Sequence, residues 1–202
     1  MTDRLTHRLN QILPKVTSDE FLTGSGIGNE IAFHIFDYPP EDELKVRGHT
    51  QFLLEHIPRH KPGLRVRHIN LFDFLLDYLR ERGLLEKSLE LQKSRGNEAL
   101  LKALKGVLSE EKIAHRFGEI AQPDQHDLIL ISGVGSAYPL LRSHTLLNNL
   151  HSIMGQTPLV LFYPGRYDQT SLRLFGKSGA SLGGAPSRTR QANYYRAFRL
   201  VD

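Results

Sequence analysis

The chain of 202 residues has no cysteine. That excludes disulfides, thiol catalysis and cysteine-ligated zinc or iron–sulfur sites, and it fits a reducing compartment. Long apolar runs are missing too. Near the N-terminus the longest is Ile12-Leu13, too short for the apolar region of a signal peptide. Nothing approaches the roughly eighteen apolar residues of a membrane span. The expectation is a soluble cytoplasmic protein with no membrane contact. Acidic residues are scarce at one end. From Arg166 to Asp202 there are seven basic side chains and two acidic ones, against 19 basic and 20 acidic in the first 165 residues. A basic segment over 166–202 faces phosphates or an acidic protein surface, or is simply a solvated edge.

What is present is a globular pattern. Hydrophobic residues are 40% of the chain and charged residues 24%, and this length buries a sizeable core without staples. Leu5, Leu9, Ile12 and Leu13 predict an opening helix ending near Pro14, followed by the glycine-rich loop TGSGIGN. IAFHIFDY (31–38) and LRVRHINL (64–71) read as strands, separated by a helix over 41–60 with Leu44, Phe52, Leu53, His56 and Ile57 near one stripe. Residues 72–121 read as almost wholly helical, with Gly83, Gly96 and Gly118 as breaks. Then come DLILI (127–131), a helix from 140 to 154, PLVLFYP (158–164), a loop containing GKSGASLGGAPS, and a last strand NYYRAFRL (193–200). Near-continuous apolar strands between helices predict a parallel sheet covered on both faces. The expected fold is α/β: a single three-layer domain over 1–202 with about five mostly parallel strands, and a helical insertion over 72–121.

The motifs that would carry chemistry are each incomplete. SGVGSAYP follows a strand and opens a helix, the order in which α/β proteins build a phosphate cradle. Gly133 and Gly135 fit a dinucleotide fingerprint, but Tyr138 stands at its third glycine. Gly176-Lys177-Ser178 ends a phosphate-loop pattern whose first position is Ser171. His144, Asn148 and His151 share a helix face, but no carboxylate completes a metal set, and a solvated polar face is the simpler reading. In HIPRH (56–60), Pro58 is expected to break the helix that would bring both histidines to one zinc. Ser132 lacks a G-x-S-x-G elbow. Asp37, Asp73 and Asp127 lie near strand ends, where acids bind magnesium or cap helices. Arg188, Arg190, Arg196 and Arg199, interleaved with Tyr194, Tyr195 and Phe198, are candidate nucleic-acid contacts.

GVGSAYPLLRSHTLLNNLHSIMGQTPLVLFYPGRYD, followed by SLRLFGK and NYYRAFRL, resembles the BrxB family, small components of bacterial BREX phage-defence systems. The resemblance covers essentially the whole chain and is densest over 127–177. It implies a member of a multi-component defence complex whose other subunits carry the methyltransferase, ATPase and phosphatase-like domains. It implies no catalytic residues and no cofactor. The expected function is a non-enzymatic adaptor binding other BREX components, chiefly the phosphatase-like PglZ protein, with DNA contacted through the complex. A nucleic-acid-binding subunit using the basic C-terminal segment is the alternative, and a cryptic nucleotide-dependent enzyme a third reading. The strand order loosely resembles a P-loop or Rossmann-like core, degenerate because Walker A is missing and Ser132, not an acid, follows Ile131. Arg142, in the first turn of its helix where the dipole disfavours a cation, and His144, Asn148, Asn149, His151 and Arg166 are the candidate partner- or ligand-facing residues. Gly133, Gly135 and Gly165 are expected to shape turns.

Overall fold

A computed structural model describes residues 4–24, 33–169, 171–176 and 197–202, and of residues 143–145 the backbone alone. The N-terminal part forms three short helices, α1 (Arg4–Asn10), α2 (Ile12–Val16) and α3 (Asp19–Thr23). Helical structure therefore continues past Pro14. The proline sits in the first turn of α2, where its missing N–H costs nothing. Strand β1 (Phe33–Tyr38) is followed by a 3-10 turn at Pro40–Asp42 and the long helix α4 (Glu43–His60). α4 runs through Pro58, contrary to expectation: the proline falls in the last turn and gives up only the one backbone bond its own N–H would have donated. The buried residues of α4 are Val46, Thr50, Leu53 and Ile57. Leu44 and Phe52, expected on the apolar stripe, instead face solvent.

β2 (Val66–Asn70) leads into α5 (Leu71–Glu81), α6 (Leu85–Leu104) and α7 (Glu110–Ala121), as the helical reading of 72–121 anticipates. α6 is broken at Gly96, whose φ of 78° is outside helical space. Gly118 is no break. It lies inside α7, where a Cβ would strike Ile153 of the helix packed against it. β3 (Leu128–Ser132) opens into the one-turn helix α8 (Val134–Ala137) and then α9 (Ser143–Met154). β4 (Leu159–Tyr167) folds back into β5 (Leu172–Leu174), a strand the sequence reading leaves as loop, and β6 (Ala197–Arg199) closes the chain. Beside these elements are Ile31, Ala32, Tyr194 and Tyr195 of the anticipated end strands. With most of the TGSGIGN loop and 177–187 of the GKSGASLGGAPS loop, they lie outside the described residues.

The sheet order is β2-β3-β4-β1-β6, with every pair on this path parallel and β5 antiparallel to β4. The alternation of side chains across a strand sorts the core into two layers. Phe33, Ile35, Ile129, Ile131, Leu159 and Leu161 pack under α5–α9. Phe36, Leu128, Leu130, Val160 and Phe162 pack under α1–α4. Both faces of β3 and β4 are thus dry, which is why LILI and LVLF are unbroken apolar runs rather than alternating ones. The fold is α/β with one mostly parallel sheet of six strands. Among the described residues no helix is long and apolar enough to cross a membrane.

Candidate functional site

β1 is the strand at which the winding of the chain reverses. It is followed by α4 on the first face, whereas β2 and β3 are followed by helices on the second. In open α/β sheets the crevice beyond the carboxyl end of such a strand is where ligands bind. A cleft of about 730 Å³ occupies this place, lined by the exit of β1, the end of β4 and β6.

Asp37, 9% exposed at the carboxyl end of β1, organises the floor of the cleft. Its Oδ1 accepts from Arg8 Nη2 at 2.9 Å, and its carbonyl from Arg8 Nη1 at 2.7 Å. Its Oδ2 accepts from the Tyr167 amide at 3.0 Å and lies 3.8 Å from Arg199 Nη2. Arg199 also donates to the Tyr167 carbonyl, and Tyr167 Oη to that of Ala197 at 2.5 Å. Arg8 lies over the Phe36 ring at 4.7 Å and donates to Val201 O at 3.3 Å. One carboxylate therefore joins α1, β1, β4 and β6. Around it the cleft carries five arginines (Arg4, Arg8, Arg166, Arg173, Arg199) and five carboxylates (Asp37, Glu41, Asp42, Asp168, Asp202), a balance that selects no ligand of one charge. The exit of β1 is Tyr38-Pro39-Pro40. Two successive prolines offer no N–H, so this turn lacks the run of amide donors from which a phosphate cradle is made.

The glycine turn after β3 is also filled. Gly133 has a φ of 73° and precedes α8, which is a single turn. A Cβ at Gly133 would strike Asn70 Oδ1. That oxygen accepts from the Phe72 and Asp73 amides at 3.0 and 3.4 Å, capping α5. A Cβ at Gly135 would stand 3.1 Å from Pro164 Cγ and 3.2 Å from Phe175 Cε1. The two glycines admit neighbouring side chains of the same chain. Gly165 does the same for backbone, lying against the Arg173 carbonyl in the β4–β5 hairpin.

The sequence-derived residues fall in different places. Asp37, Gly165, Arg166, Gly176 and Arg199 line the cleft. Arg142 is exposed and sits just ahead of α9 in extended conformation, since the helix begins at Ser143 rather than 140; it is not in the first turn. Asn148 is exposed and Asn149 half-buried. His151 leaves the polar face to lie 4.5 Å from the Phe33 ring, and burial lowers its pKa. The His144 side chain and Arg188, Arg190 and Arg196 lie outside the described residues. Asp73 accepts nothing as a cap, because Asn70 takes that role, and Asp127 pairs with Arg65 at 2.7 Å at the amino end of β3. Ser132 Oγ lies 2.8 Å from Nε2 of His68, whose pKa burial lowers. Among the described residues no hydrogen bond orients the other nitrogen of that ring, which leaves a nucleophile–base pair without its third member. No group of three or more metal-ligating side chains is gathered among the described residues. Arg8 and Tyr167, absent from the sequence reading, carry no local signal, because their partner is set by the tertiary fold.

No solved structure matches this chain. The family model described as "BREX protein BrxB" matches residues 67–200. A "BREX protein BrxB" of Bacillus cereus (strain H3081.97) is 37% identical over 203 residues, covering 98% of both chains. One of Escherichia coli O9:H4 (strain HS) is 40% identical over 198 residues, covering 98% of this chain and 92% of its own. The chain belongs to the BrxB family, and with it to the components of the BREX defence system.

Proposed function

We propose that the chain is a non-catalytic adaptor of its defence complex, and that its direct partner is the phosphatase-like PglZ component. The observation that carries the reading is the crevice at the carboxyl edge of the sheet. Where an α/β enzyme keeps open donors for a ligand, this chain spends Arg8, Arg199 and the Tyr167 amide on its own Asp37. Its glycine turn is packed by Asn70, Pro164 and Phe175. The sheet is then a nucleotide-binding-like architecture kept for its surfaces, and ATP hydrolysis by the purified chain would overturn that history. The choice of PglZ rests on the family resemblance. Affinity purification of the tagged chain from its host, before and after nuclease treatment, with mass spectrometry of what co-elutes, tests it. Recovery of PglZ in both preparations supports the adaptor, and its absence from both refutes the assignment.

The excess of basic over acidic side chains from Arg166 to Asp202 favours a second reading, a nucleic-acid-binding subunit using the basic C-terminal segment. It predicts recovery of partners only without nuclease, and DNA affinity that falls steeply with salt. Unchanged DNA binding after charge reversal at Arg188 and Arg190 would sink it.

A further inference from the structure

Two histidines in the last turns of α4 stand at the spacing from which a metal pair is built. His56 and His60 are four residues apart, and the helix continues through Pro58 to His60. The Lys61 amide donates to the Ile57 carbonyl at 2.8 Å, which closes the final turn. Helical residues four apart are neighbours on one face, their Cβ atoms roughly 5–6 Å apart. H-E-x-x-H helices hold zinc between two imidazoles at this same spacing. His56 is already oriented. Its ring stacks on that of Phe52 with centroids 3.8 Å apart, and its Nδ1 lies 2.8 Å from the Phe52 carbonyl oxygen. A carbonyl only accepts, so Nδ1 carries the proton and the neutral ring keeps its lone pair on Nε2. A backbone carbonyl in this role is a common support of a metal-bound imidazole. His60 is exposed, with no hydrogen-bond or ionic partner among the described residues. The neighbouring charges are engaged or in water. Lys61 Nζ donates to Asp19 Oδ1 at 2.5 Å and to the Thr17 carbonyl at 3.0 Å, Glu55 accepts from Gln51 at 2.9 Å, and Arg59 is exposed.

We propose that His56 and His60 bind one divalent transition-metal ion, His56 through Nε2, with water in the remaining positions. Imidazole nitrogen selects zinc, nickel or copper over magnesium and calcium, which take oxygen ligands. No third metal-ligating side chain joins the pair among the described residues, so the site is open and exchangeable, unlike the closed four-ligand set of a structural zinc. The ion spans Pro58. That residue has no N–H, so the last turn lacks one backbone bond. A metal held by the residues two before and two after the proline clasps the turn that is short of one. The site stands independently of the adaptor reading.

The test titrates the full, untagged chain in a calorimeter with zinc and, separately, with magnesium, and records the electron paramagnetic resonance of the chain with one equivalent of copper(II). The tightest site of the wild type should take one zinc per chain, magnesium should give no binding heat, and the copper spectrum should show coupling to nitrogen. His56→Gln and His60→Gln should each weaken zinc binding by about tenfold or more. His49→Gln, whose ring lies on the other side of the Phe52 stack at 5.3 Å, should leave it unchanged. Zinc should raise the Tm of the wild type as its concentration climbs, and should not do so in the double variant His56→Gln/His60→Gln. Carbethoxylation read by mass spectrometry needs no variant: zinc should shield His56 and His60 and leave the exposed His7 and His115 reactive. A wild type that binds no zinc, binding undiminished by both substitutions, or shielding of other histidines in place of these two would each overturn the proposal.

Discussion

Asp37 shows how one residue can be visible in a sequence while its role is not. Its place after an apolar strand suggested a magnesium ligand or a helix cap. Its partners come from 29 residues upstream, at Arg8, and 130 downstream, at Tyr167, separations no local pattern spans. Because the carboxylate is only 12% exposed and faces two guanidinium groups, Asp37→Ala should destabilise the chain by roughly 3 kcal/mol in urea titration. A double-mutant cycle with Arg8→Ala should return a coupling that is lost when Asp37 is absent. His34 makes a second prediction. It is 4% exposed, its ring is 4.5 Å from that of Phe21 and 6.0 Å from that of Phe198, and neither ring nitrogen has a partner among the described residues. Burial lowers its pKa from 6.5 to about 4, with Lys15 adding to the effect. The unfolded chain therefore binds the proton more tightly. Stability attributable to this group is whole above pH 6.5 and falls as the pH drops toward 4, by about 3 kcal/mol in all. Stability curves from pH 4 to 7 should flatten in His34→Leu, and an unchanged slope in that variant would assign the pH dependence elsewhere.

At the scale of elements, β3 and β4 were legible because their burial is extreme. LILI and LVLF are apolar on both sides, a pattern only a covered parallel strand tolerates. The helices of 72–121 were legible from their stripes. The phase of α4 was not: Leu44, Phe52 and His56 mimic an apolar face, while the buried stripe includes a threonine, Thr50. Pro14 and Pro58 misled for different reasons. Pro14 lies in a first turn, where the N–H it lacks would have had no partner, whereas Pro58 lies in a last turn and gives up one backbone bond that the rest of α4 outweighs. The glycine turn was placed correctly as a turn between strand and helix, but its contents were not, since Asn70 belongs to a different strand. Substitution Gly133→Ala forces a Cβ into that amide and a side chain into positive φ. It should cost about 2 kcal/mol or more by thermal denaturation. Asn70→Ala removes the cap on α5 and should cost about 1 kcal/mol. In the double variant the cost of Gly133→Ala should shrink, because the atom it meets is gone; strict additivity would show that the backbone conformation, not the contact, sets the penalty.

Taken whole, the molecule places its first strand in the interior of the sheet and completes it with two of its last. β1 pairs with β4 on one side and β6 on the other. A millimolar concentration of ATP with magnesium should leave the Tm of the purified chain unchanged if the crevice is closed by its own side chains; a clear rise would favour the nucleotide-dependent reading. Deleting residues 197–202 removes β6, Arg199 and the ring beside His34. The truncated chain should lose its cooperative melt by circular dichroism, although the segment is three strand residues and a short tail. The same arrangement bears on how the protein is made. During translation β1 leaves the ribosome early, and its neighbours on both sides are the segments synthesised late. Until they emerge, Phe33, Ile35 and Phe36 have no finished layer to enter, and unpaired apolar strands are what chaperones bind and aggregates recruit. A message cut short near its end should therefore yield no partly working subunit. The cell receives either the complete chain or material for its proteases.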